Sequence, residues 1–269
     1  MPITPKPNSA LVLVGHGSTQ APDSAAPCHR HAGEIRRRSL FGAVHCVFWK
    51  EDPPIRAAWH LTDLPELYLV PVFISEGHFT RDVIPSELGL TGPTTRAHHK
   101  TLHCCAPVGC HPAMTSLLLH HAAAAAPDAP PARTTLVIAG HGTRRNPNSR
   151  TAIEAQVAHI RRSNAGYAAV IDAYMEEPPL IADWHQLAPT DTVVVVPFFI
   201  ADGLHARHDI PSLLGIPAAS DPDSLFRSHP HRLRGKSLHY SHAIGTDPRL
   251  ADVILDQVAR FDHQHPHPG

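Results

Sequence analysis

Charge is scarce in this chain. Only 17% of its 269 residues are Asp, Glu, Lys or Arg, against ~25% in ordinary soluble domains. The 23 basic residues nearly balance the 24 acidic ones, for a net charge of −1, which argues against a nucleic-acid binder working through bulk charge. Cysteine is sparse as well. Cys28, Cys46, Cys104, Cys105 and Cys110 contain no C-x-x-C pair and are odd in number, which suits a reduced interior better than a disulfide framework. No apolar run approaches the ~20 residues of a membrane span. The polar start MPITPKPNSA leads into a run far too short for a signal peptide. A cytoplasmic protein without membrane attachment is the expectation. Three enzyme signatures are also missing: G-x-G-x-x-G, the P-loop and the G-x-S-x-G elbow. Neither a nucleotide enzyme nor a serine hydrolase is indicated.

What the chain has in excess is histidine. Its 24 histidines outnumber lysine and arginine together. Imidazole is the commonest metal ligand, so the surplus permits metal chemistry, although a compositional bias explains many of these residues equally well. Apolar residues make up 42%, enough for a substantial core. The length fits one large domain or two of roughly 100 to 150 residues.

Internal similarity decides for two. LVLVGHGST (11–19) recurs as LVIAGHGTR (136–144), and VFWKEDPPIRAAW (47–59) as AYMEEPPLIADW (173–184). LYLVPVFISEGHFTRDVIPSELGL (67–90) recurs as VVVVPFFIADGLHARHDIPSLLGI (193–216), and LHCCAPVGCHP (102–112) as LHYSHAIGTDP (238–248). Four ordered matches indicate tandem duplication. The expected layout is a first repeat at 1–121, an Ala/Pro-rich linker AAAAAPDAPPART at 122–134, a second repeat at 135–262 and a His-rich, disordered tail at 263–269.

Within each repeat, short runs rich in Val, Ile and Leu alternate with amphipathic stretches. In the second repeat the strands fall near 135–140, 168–174, 192–200 and 236–242, and helices near 149–163, 178–188 and 247–262. In TAIEAQVAHIRR, Ile153, Val157 and Ile160 share one stripe, as on a helix packed against a sheet. The fold class is therefore α/β, with a doubly wound, mainly parallel four-stranded sheet in each repeat.

Ligands bind such sheets at the C-terminal ends of the strands. Each repeat opens strand–Gly-His-Gly–Ser/Thr, placing His16 and His141 at that rim on glycines that let the chain turn sharply. The third strand of each repeat ends at the same rim with His78 or His205. Parallel topology lets His141 and His205 face each other, and Glu176 ends the second strand. Two imidazoles and a carboxylate suit a divalent metal with open positions. A structural histidine explains one GHG motif; the repeat of GHG[ST] with PxFI-x₂-G-x₇-P in both halves is far more specific.

GHGS, GHGT, the EEPP segment, FIADGLHARHDIP and the PVG/AIG-x-[HD]-P segments resemble the class II tetrapyrrole chelatases, the sirohydrochlorin cobaltochelatase/ferrochelatase (CbiX/SirB-like) family, in its duplicated long form. The resemblance covers nearly all of both repeats. It implies flavodoxin-like, chelatase-like domains. It also implies ATP-independent insertion of Co²⁺ or Fe²⁺ into a sirohydrochlorin-type tetrapyrrole of cobalamin or sirohaem biosynthesis. The divalent metal (Ni²⁺ shares the ligand preference) is then a substrate, and no nucleotide is needed. The family's metal-site histidines match His141 and His205, and Glu176 matches its carboxylate, although the loop after it differs in length. Arg144, Arg145, Arg207 and Arg81 are suited to ring carboxylates; solvated surface arginines are the alternative. Two repeats in one chain can act as a monomer.

The first repeat departs from the pattern. It reads GHF where the second reads GLH, so Phe79 takes the ligand position and His78 stands one place early. Lys50 replaces Glu176. The second repeat is expected to be catalytic and the first a degenerate lid, with His16 and His78 as a second or degenerate site. His208 is a candidate support for His205, and His111 a candidate substrate neighbour. The competing reading is a metallochaperone or metal sensor that kept the scaffold and lost insertion chemistry.

Overall fold

The structure is a computed structural model that describes residues 3–19, 24–143, 147–218, 221, 223–227 and 230–266. In the first repeat the elements are β1 (Lys6–Gly15), α1 (Ala26–Arg37), β2 (Phe41–Phe48), β3 (Glu66–Pro71), α2 (Ile84–Leu88), β4 (Thr94–Ala97), β5 (Lys100–Cys104) and α3 (Met114–Ala125). The second repeat begins β6 (Thr134–Gly140), α4 (Pro147–Arg162), β7 (Ala169–Tyr174), α5 (Trp184–Leu187) and β8 (Thr192–Pro197). It continues α6 (Ile210–Leu214), α7 (Ser224–Arg227), β9 (His231–Leu233), β10 (Lys236–Tyr240) and α8 (Leu250–Gln264).

Each repeat builds one sheet, in the orders β2-β1-β3-β5-β4 and β7-β6-β8-β10-β9. The four strands rich in aliphatic residues are parallel, as their buried character requires. Ala10, Val12 and Val14 of β1 pack into one cluster with Val47, Ile55, Trp59, Leu67, Leu69 and Ile84. Leu11 and Leu13 between them are fully buried too, so both faces of this sheet are covered. A buried tryptophan anchors the same crossover in each repeat. Trp59 Nε1 donates to Leu88 O at 3.1 Å, and Trp184 Nε1 to Leu214 O at 3.0 Å.

The sheets have five strands, not four. The fifth, β4 or β9, is a short antiparallel edge strand forming a hairpin with β5 or β10. Their sequences, TTRA and HRL, carry no aliphatic run. An edge strand pairs on one side only, and Thr95 is the one buried residue of β4, so apolar patterning does not register such a strand.

The chain folds as two compact units that do not follow the repeat order to the end. One comprises residues 1–111 with 248–269, and the other residues 112–247. Helix α3, from the first repeat, packs on β8 and α4, whereas α8, from the second, packs on β3 and α1. The terminal helices are exchanged. Leu250, Val253, Ile254, Leu255, Val258 and Phe261 supply the buried stripe of α8. Its polar docking bonds run from Gln257 Nε2 to Pro107 O (2.8 Å), Tyr68 Oη to Asp262 (2.7 Å) and Lys6 Nζ to Asp262 (2.7 Å). Among the described residues, no helix is long and apolar enough to cross a membrane.

Candidate functional site

In the second unit, β6 is buried along its whole length and ends at Gly140. A β-carbon there would lie 2.0 Å from Ile153 Cδ1, so any larger residue would require the Ile153 side chain on α4 to shift. Gly142 has φ +63° and turns the chain away. His141 is held between them. The end of β7 extends the ladder onto it, with Met175 N donating to His141 O at 3.0 Å and Glu176 N at 3.3 Å. These bonds bring Glu176 Oε1 to 3.7 Å from His141 Nε2.

The chain leaves β8 through Phe199 to Gly203 and enters a π-helical turn at His205–Asp209, a feature that recurs at functional sites. The turn directs His205 at His141. Their ring centroids are 5.0 Å apart with the planes at 85°, and both side chains are partly open to solvent, at 42% and 33%. Asp209 Oδ2 lies 2.6 Å from His205 Nδ1. With Nδ1–H donating to Asp209, the Nε2 lone pair of His205 is left for a ligand. Among the described residues, no set of three or more His, Cys, Asp or Glu side chains forms a metal cage. The arrangement is a histidine pair with a carboxylate beside each member, Glu176 at His141 and Asp209 at His205.

The first unit has the same backbone and different chemistry. Gly15 pairs with Phe48 as Gly140 pairs with Tyr174, which makes Lys50 the counterpart of Glu176. A second π-helical turn spans Phe79–Val83. Phe79 meets His16 edge-on at 4.7 Å, and Phe73 stacks on Phe79 at 5.7 Å. His78 does not meet His16. Its side chain is 71% exposed and its Nδ1 is 3.0 Å from Asp82.

The predicted carboxylate-binding arginines are engaged or lie elsewhere. Arg207 pairs with Asp223 at 3.0 Å and lies over the Phe226 ring. Arg81 pairs with Glu76 at 2.6 Å. Arg144 and Arg145 lie outside the described residues. His208 is exposed on the π-turn, and the support of His205 comes from Asp209 instead. The i,i+4 spacing of His205 and Asp209 was the signal available for that partner. His111 is buried, with Nε2 2.8 Å from Asp256 Oδ2 on α8. Burial pushes its pKa down, and the nearby carboxylate opposes that shift.

The CbiX family profile matches residues 10–125 and again 135–261. The chain belongs to the CbiX family. A probable sirohydrochlorin cobaltochelatase of Halobacterium salinarum is 37% identical over 268 residues, spanning 93% of this CbiX chain and 90% of its relative. A sirohydrochlorin cobaltochelatase of Methanopyrus kandleri is 30% identical over 135 residues. That match takes in 93% of the relative and 46% of this chain, so one repeat corresponds to a whole half-length protein. Among solved structures, a multi-domain Deinococcus radiodurans protein with structural similarity to chelatases superposes with a TM-score of 0.76 at 25% identity. It covers 93% of this chain and 54% of its own.

Proposed function

We infer that this CbiX-family protein is a metal chelatase that inserts Co²⁺ or Fe²⁺ into a sirohydrochlorin-type tetrapyrrole, in cobalamin or sirohaem biosynthesis. The carrying observation is the perpendicular pair His141 and His205 at the strand ends of the second unit, 5.0 Å apart. The catalytic assignment is His141, His205 and Glu176, with the two histidines as metal ligands. M²⁺ exchanges water for imidazole nitrogens and passes into the ring as the two pyrrole N–H protons leave. Two protons out for one divalent ion in keeps the charge balanced. Glu176 and the imidazoles are the available proton acceptors.

Arg144 and Arg145, which follow the GHGT turn, are assigned to ring carboxylates. Arg81 and Arg207 would bind a ring carboxylate by exchanging Glu76 and Asp223 for it. A single chain acting in the cytoplasm completes this reading.

The test is anaerobic incubation of the purified protein with sirohydrochlorin and Co²⁺, followed by absorbance. His141→Ala and His205→Ala are expected to abolish turnover, while His16→Ala and His78→Ala retain most of it. Equal loss from all four variants would refute the asymmetry. Tight Co²⁺ binding without turnover on any tetrapyrrole would identify a metal carrier instead.

A further inference from the structure

Three positions around His16 differ from their counterparts around His141, and all three change in one chemical direction. Phe79 stands for His205, Trp49 for Met175 and Lys50 for Glu176. Relaxed selection at an abandoned metal site would leave small or miscellaneous side chains. Here one position gains an aromatic ring, a second exchanges an imidazole for a phenyl ring that cannot ligate a metal, and the third reverses its charge.

The result is an ordered aromatic surface. Phe79 contacts His16 at 4.7 Å, stacks on Phe73 at 5.7 Å with the planes at 20°, and meets Trp49 at 6.3 Å. Trp49, Phe73 and Phe79 are half-buried at the strand ends, so part of each ring remains open. Lys50 is exposed, with its ammonium 5.3 Å from the Trp49 ring. It has no ion-pair partner among the described residues. The adjacent Glu51 turns inward instead, accepting Ser18 N at 2.5 Å. A lone ammonium and a benzyl ring disfavour a divalent cation. They suit a flat, conjugated molecule that carries carboxylates, which would stack on the rings and pair with the cation.

We propose that Trp49, Phe73, Phe79 and Lys50 form a binding platform in the first unit for the conjugated face and a peripheral carboxylate of a polycarboxylate tetrapyrrole. This inference rests on the chelatase reading and adds to it a macrocycle-binding surface in the first unit.

Trp49 also provides the readout, because the other two tryptophans, Trp59 and Trp184, are 3% and 1% exposed. The experiment is anaerobic titration of the full-length protein with metal-free sirohydrochlorin, followed by tryptophan quenching and by ligand absorbance. Co²⁺ affinity is measured in parallel by calorimetry. Trp49→Leu and Phe79→Leu should each weaken macrocycle binding by roughly three- to tenfold, and Trp49→Leu should remove most of the quenching. Lys50→Glu, an exposed change that leaves the core intact, should weaken binding by at least about tenfold at low salt, and less as salt screens the pair. In all three variants Co²⁺ should bind as in the parent. Unchanged sirohydrochlorin affinity in variants of a protein that still turns over would overturn the platform and leave the chelatase standing. Parallel loss of Co²⁺ and macrocycle binding would overturn it as well, by revealing a general structural defect. A parent protein that neither binds nor metallates sirohydrochlorin would overturn both readings.

Discussion

Asp209 determines which nitrogen His205 can offer. At 2.6 Å from Nδ1 it fixes both the tautomer and the ring rotation, and outer partners of this type contribute ~10–100-fold to metal affinity. Asp209→Ala is therefore expected to raise the Co²⁺ dissociation constant by about that factor, with sirohydrochlorin binding unchanged. Asp209→Asn, which can still accept the Nδ1 proton through its carbonyl oxygen, should recover part of the loss. Calorimetry on the three proteins checks this. The pairing also explains the first repeat. His78 has its own carboxylate four residues on, Asp82, but the whole pair lies one residue earlier than in the second repeat. One residue on a helical turn swings a side chain by about 100°, which carries His78 into solvent and brings Phe79 against His16.

At the scale of elements, the aliphatic strands and their parallel order were legible in the sequence because burial on both faces writes continuous apolar runs. The convergence of His141 and His205 follows from that order, since parallel strands end at one rim. Other elements left no such trace. β4 and β9 are polar edge strands, and the turn between β4 and β5 uses His98 and His99 at φ 51° and 59°, where glycine or asparagine would have marked a hairpin. The π-turns are too short to write a periodic apolar stripe. The docking of α3 and α8 was equally silent, because an apolar stripe does not say which sheet it covers.

That docking has a pH signature. His111 and His121, each beside a carboxylate at 2.8 Å and 3.2 Å, and His239 have pKa values pushed down by burial. A depressed histidine pKa means that the unfolded chain takes up a proton before the folded one does. The stability these residues contribute is complete above the ordinary imidazole value of 6.5 and is lost as pH falls below it. Urea midpoints should therefore drop between pH 7.5 and pH 5.5, and His111→Gln should flatten that dependence. An unchanged slope in His111→Gln would exclude His111 as a source.

At the scale of the molecule, the family profile matches the two repeats separately, yet the compact units are assembled from pieces of both. The repeats are units of sequence and ancestry; the folded units are something else. A fragment ending within the linker, such as residues 1–126, retains α3 but lacks α8, which packs on β3 and α1. Fragments 1–126 and 127–269 expressed apart should each be insoluble or self-associated. Expressed together, they should yield a soluble, stoichiometric pair with turnover. Independent folding of either fragment as a monomer would contradict this.

The exchange of α3 and α8 also ties the fate of one half to the other. A chain whose two halves have each surrendered a structural part to the other cannot shed either half as its chemistry decays. The first half is thus an architectural necessity whether or not it binds a metal. Under that protection, the positions around His16 were free to acquire a different task without risk of deletion. Mutual dependence in folding is, in this protein, what leaves room for two half-sites of different composition.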